Sequence, residues 1–119
     1  MLSSELFRDC AALQACAVKD SAHVTPGCRG DAVARIQRAL VAIDEAEIAE
    51  REISERVYGD TTAAAVLSYK QDSNIINRAY QQTADNIVGK MTIARLDADM
   101  LDLQRRLSSD NFLKRMRVF

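Results

Sequence analysis

Four side chains with soft-ligand or nucleophilic chemistry, Cys10, Cys16, His23 and Cys28, fall in one N-terminal stretch of this 119-residue chain. Five, six and four residues separate them in turn, a spacing that matches none of the tight pairs, such as C-x2-C, that hold structural zinc. Three cysteines are an odd number, which argues against a secreted disulfide framework. They read instead as buried or half-buried thiols packing as small hydrophobes. The sole histidine has no Ser/Asp or Cys/Asp arrangement around it in the sequence, so it reads as a satisfied loop or core residue. Oxygen ligands are offered by the acidic run from Asp44 to Glu52, but no Gly bends that run around a hard cation. It reads as a solvated helical face or loop. The sequence shows no paired carboxylates at a recognisable spacing, no nucleophile elbow, no phosphate-cradling Gly loop and no metalloprotease helix. The expectation is a protein that is not an enzyme and takes no cofactor or metal.

Whatever the chain binds must therefore be held by its scaffold. Apolar residues make up 48% and charged ones 28%, with a single Pro, a composition that folds as one domain and argues against disorder. Helix formers dominate and aromatic residues are only 5%, which predicts an all-α fold. Sixteen basic residues against seventeen acidic ones leave a net charge of −1, so no global field attracts a phosphate backbone and nucleic acid is not the expected partner. No stretch approaches the length of a membrane span. The segment Met1 to Asp9 lacks the basic n-region and apolar run of a signal peptide, which predicts synthesis in the cytoplasm. Work outside it would need an export route without a cleavable leader, or a longer parent chain.

Hydrophobic spacing places the helices. Leu6, Cys10, Leu13 and Ala17 step by four, three and four, predicting a first helix over 3–18, capped by Ser3 or Ser4 and lying on the domain as an extra layer. Asp20 to Gly30 holds the only Pro and two of the four Gly, and is the main loop. Asp31 is a natural N-cap for an amphipathic helix carrying Val33, Ile36, Leu40 and Ile43. Asp60 or Thr61 can cap a third helix, in which Thr62, Ala65, Val66 and Tyr69 form the apolar edge and Ala63, Ala64 and Ala65 admit a close neighbour. Ser73 to Thr83 is a polar excursion anchored by Ile75 and Ile76. It ends in the turn Asp85-Asn86-Ile87-Val88-Gly89, where Asn86 is expected to take a positive φ, Gly89 to supply a second permissive point, and Ile87 or Val88 to plug the core.

Beyond the turn, Thr92, Ile93 and Leu96 give the next helix a buried edge. Ile93, Leu96, Met100, Leu103 and Leu107 continue at heptad spacing, either packing on the domain or presenting a stripe to a protein partner. Ser108-Ser109-Asp110-Asn111 is expected to break or restart the helix ahead of a basic tail with Lys114, Arg115 and Arg117.

Three blocks carry a family resemblance. Gly27-x-x-Gly30-Asp31-x-Val33-x-x-Ile36-Gln37-x-x-Leu40, Tyr58-Gly59-x-x-Thr62-x-x-Ala65-Val66-x-x-Tyr69 and Asp85-Asn86-Ile87-Val88-Gly89-x-x-Thr92-x-x-x-Leu96 resemble the three helices of the peptidoglycan-binding domain, a module appended to cell-wall hydrolases. Asn86 stands where that family's turn has Gly, and the segments before Tyr58 and before Asp85 are longer. The resemblance implies a three-helix core over 24–100; the helical extensions expected at 1–23 and 101–119 are unlike a simple appended module. It also implies a non-catalytic bacterial module that binds peptidoglycan or a muropeptide in the wall or periplasm. Tyr58, Asp60, Asp85, Asn86, Lys90 and Thr92 would share one rim around the two turns. Each also has a structural role open to it: Asp60 and Thr92 as caps, Asn86 as a turn former, Tyr58 as a core wedge, Lys90 as a solvated charge. The alternative is a protein-docking or adaptor domain on the same scaffold, for example a delivery segment of a secreted effector.

Overall fold

The computed structural model describes residues 1–73, 75 and 85–117, with the backbone alone over 108–117. Ile76, most of the 73–83 excursion and the side chains of Lys114, Arg115 and Arg117 lie outside the described residues. The chain is all-α: α1 spans Ala11–Cys16, α2 Asp31–Asp44, α3 Glu50–Glu55, α4 Asp60–Asp72 and α5 Lys90–Arg117, with a 3₁₀ turn at Asp20–Ala22. Among the described residues there is no strand. Two isolated antiparallel bridges, Val24 with Val88 and Arg29 with Val57, tie the loops together.

The spacing of α2 does what it predicts: Val33, Ile36 and Leu40 are buried against Val66, Tyr69, Ile93 and Leu96 in one cluster. Gln37 lies on the same helix and is also buried. Its amide Nε2 donates to the Glu52 and Val57 carbonyls (3.3 and 3.0 Å) and to the Thr62 hydroxyl (3.0 Å), fastening α2 to the α3–α4 corner.

The first helix is much shorter than 3–18, and Ser3 and Ser4 cap nothing. Their amides go elsewhere. Ser3 N–H donates to both Asp97 carboxylate oxygens (3.1 and 3.0 Å) and Ser4 N–H to one of them (2.8 Å). Gln14 holds the segment from the other side, accepting from Leu2 N–H (2.9 Å) and donating to the Leu2 and Arg8 carbonyls (both 3.0 Å). Leu2, Phe7, Cys10, Leu13 and Cys16 then enter the same core as the later helices, so residues 1–23 are part of the packing and not a layer laid upon it. Burial pushes the Cys16 thiol up, partly offset by a backbone hydrogen bond at Val24.

Three capping expectations are corrected. Gly30, at φ 115°, precedes α2, and Asp31 is its first helical residue, with its carboxylate on Arg35 (2.7 Å). The left-handed φ is what turns the chain into the helix, a conformation open to Gly without steric cost. At α4, neither Asp60 nor Thr61 supplies the cap. The carboxylate comes from Glu52 in α3: Gly59 N–H (3.1 Å), Thr61 N–H (3.0 Å), Thr62 N–H (2.9 Å) and the Thr61 hydroxyl all donate to it. The acidic run is thus not wholly solvated. At α5, Thr92 is a buried third residue and not a cap.

The break expected at Ser108-Ser109-Asp110-Asn111 does not occur; α5 runs through it to Arg117. Each of those residues disfavours a helix by only a fraction of about 1 kcal/mol, too little to stop one already propagating. Along its heptad stripe the helix leaves the core. Ile93 and Leu96 are fully buried, Met100 and Leu103 half-buried, and Leu107 is 55% exposed. Ile93 and Leu96 are therefore not available to a protein partner.

Candidate functional site

The turn into α5 is made by a side chain. Asp85 Oδ1 accepts from Ile87 N–H (3.1 Å), an Asx turn, while Lys70 Nζ, from the end of α4, donates to the Asp85 carboxylate and to the Ile87 carbonyl (2.9 Å). With the reversal formed this way, Asn86 needs no positive φ and takes none, and neither does Gly89. Gly89 instead lets the His23 ring pack close: a Cβ there would sit 3.1 Å from His23 Nε2, a contact the ring must shift to relieve. Val88 plugs the core, as expected of one residue of the Ile87–Val88 pair. Its carbonyl accepts from Val24 N–H (3.0 Å) and the Cys16 thiol (3.4 Å).

Tyr58 lies beneath this turn, 1% exposed, its hydroxyl donating to the Asn86 carbonyl. Burial pushes its phenol up, reinforced by the nearby Asp85 and Cys28 charges. It is a strut and not an aromatic platform.

Above the strut a cleft of about 560 Å³ opens between the Asp20–His23 loop, the end of α4 and the first turn of α5. Asp20, His23, Lys70, Asp85, Lys90 and Thr92 supply its polar lining, and Ile75, Ile87 and Met91 its apolar faces. Its charges alternate over short distances. Asp20 Oδ1 is 3.2 Å from Lys90 Nζ and 3.6 Å from His23 Nε2, while Lys70 is held buried on Asp85. Among the described residues the His23 ring nitrogens meet no hydroxyl or thiol, and no three His, Cys, Asp or Glu side chains converge as a metal cluster. No helix there is long and apolar enough to cross a membrane.

Of the six residues placed on the rim, the cleft gathers Asp85, Lys90 and Thr92, with Thr92 as floor at 2% exposure. Asn86 is exposed on the adjoining turn. Tyr58 is buried away from solvent, and Asp60 is exposed in the first turn of α4, outside the cleft lining. Sequence reasoning missed Asp20, Lys70 and Met91 as site residues and read His23 as a satisfied loop residue. Nothing in their spacing points across the 70 positions from Asp20 to Lys90; the Val24–Val88 bridge brings them together.

Comparison with known proteins returns no matching family model, no similar curated protein and no similar solved structure.

Proposed function

We propose that the chain is a non-catalytic module that binds peptidoglycan at the bacterial wall or periplasm, with the cleft at the start of α5 receiving a muropeptide. The observation that supports this reading is the mixed lining of that cleft: Asp20 and Lys90 at an exposed mouth, Asp85 and Lys70 deeper, and the exposed face of Met91 beside them. A sugar–peptide polymer offers hydroxyls, amides, carboxylates and ammonium groups, and opposed charges in one concave site can meet both signs at once. The cleft is open to solvent, so each repeat contributes modestly and retention on the polymer comes from many repeats.

Retention on purified insoluble peptidoglycan tests this. The wild-type chain is expected to sediment with the wall, and Lys90→Glu, with an unchanged far-ultraviolet spectrum, to remain in the supernatant. Tyr58 is unsuitable as a probe because truncating it removes the strut. Absence of wild-type retention, or equal retention of Lys90→Glu and Met91→Ala, would overturn the wall reading and leave the scaffold as a protein-docking or adaptor domain.

A further inference from the structure

The opposite corner of the molecule carries a second concavity. Between α2 and α3 a groove of about 490 Å³ is lined by Ala34, Gln37, Arg38, Val41, Ile53 and Arg56, among others. Helix α2 has two apolar stripes. Val33, Ile36 and Leu40 face the core, whereas Ala34 and Val41, two turns apart, border the groove with Arg38 between them. Val41 and Ile53 are each 43% exposed, branched apolar side chains that line the groove from α2 and α3.

The groove's charge has one sign. Among the described residues Arg38 and Arg56 are its only charged lining, both are exposed, and neither forms an ion pair. Arg56 is also held at φ 55°, the left-handed helix-ending conformation that Glu45 takes after α2 and that Gly takes at less cost. That conformation is fixed by the end of α3, where Arg56 N–H donates to the Ile53 carbonyl (3.2 Å) and Val57 N–H to the Glu52 carbonyl (3.0 Å). A guanidinium is thus kept at the groove's rim against the preference of its own backbone.

We propose that this groove docks a short acidic segment of another protein, seating an apolar side chain between Val41 and Ile53 and placing carboxylates on Arg38 and Arg56. An apolar floor between unpaired guanidinium groups suits such a segment, because each Arg can take a carboxylate through two parallel N–H donors. The same apolar floor gives no purchase to a phosphate polymer, and the net charge of −1 supplies no global field to attract one. The inference is independent of the wall reading and concerns a different face.

Panning a display library of random peptides of roughly twelve residues on the immobilised full chain tests it. Enriched sequences are expected to pair Leu, Ile or Phe with neighbouring Asp or Glu. A synthetic peptide of that consensus, followed by fluorescence anisotropy, should bind about tenfold more weakly to Arg38→Glu and to Ile53→Asp, and more weakly as salt is raised. Arg56→Gly separates docking from structure: it should weaken the peptide while leaving the thermal midpoint unchanged or higher. Enrichment without acidic residues, peptide binding indifferent to Arg38→Glu and Arg56→Gly, or light scattering showing a second copy of the chain in the groove would each overturn the proposal.

Discussion

At the corner between α3 and α4, one carboxylate is shared among four donors from its own chain; at the corner leading into α5, a similar stock of acids, bases and hydroxyls borders an open cleft. Both corners begin a helix. They differ in where the polar groups end. Glu52 is closed over by Gly59, Thr61 and Thr62, so tightly that a Cβ on Gly59 would lie 2.7 Å from the Glu52 Cδ. Lys90 and Asp20 meet only at the mouth of the cleft, with Asp20 81% exposed on its side chain. The first corner is a fastening. The second retains polar groups that a ligand can engage, which is why the wall reading rests there.

The contrast is broken most severely at Glu52. Glu52→Gln should lower unfolding stability by about 1–3 kcal/mol, because a charged acceptor for backbone donors is replaced by a weaker one. Gly59→Ala should act on the same bonds by displacing the carboxylate. A double-mutant cycle in urea is expected to show the two losses to be less than additive. Additive losses would mean that the carboxylate is not what Gly59 makes room for.

Lys70→Met comes next. It removes a buried ammonium from a half-exposed carboxylate and from the Ile87 carbonyl, and is expected to cost about 1–3 kcal/mol, less than for a fully buried pair. It should also loosen the Asp85 turn, which protection of the Ile87 amide from hydrogen exchange would register.

Acid provides a gentler probe. Burial pushes the Glu52 carboxyl up, but hydrogen bonds from Thr61 and Thr62 outweigh it and hold the group at about 2, below its ordinary 4.5. A carboxyl lowered on folding contributes stability that is full above its unfolded value and is lost as pH falls through its folded one. The stability gap between wild type and Glu52→Gln should therefore be widest above pH about 5 and close as pH falls towards about 2. A gap independent of pH would assign the effect to packing. Smallest of all should be Lys90→Glu and Asn86→Ala at the open corner, within about 0.5 kcal/mol in urea, however strongly Lys90→Glu affects wall retention.

The same contrast explains how much the sequence revealed. The core faces of α2, α4 and the start of α5 were legible, since Val33, Ile36, Leu40, Val66, Tyr69, Ile93 and Leu96 follow a helical period and burial respects it. Capping was not, because an N-cap is sought in the residue next to the helix, whereas α4 takes its carboxylate from Glu52, seven residues before Gly59. The site was half legible. Asp85, Lys90 and Thr92 are local to one turn and could be grouped by eye, while Asp20 and Lys70 join them only through tertiary contacts. Tyr58 was open for a further reason: an aromatic residue beside a turn suits a rim and a core wedge equally well, and its burial and its hydroxyl bond to the Asn86 carbonyl separate them.

The clasp of Asp97 on Ser3 and Ser4 sets an order of assembly. Its partners lie 94 and 93 positions before it along the chain, so Ser3 and Ser4 emerge from the ribosome long before their acceptor exists. Until α5 is synthesised, the Ser3, Ser4 and Glu5 amides lack their Asp97 and Gln104 acceptors. Docking of this leading segment is then a closing event in folding, and a nascent chain halted ahead of Asp97 is expected to be cut there by protease while the finished protein resists.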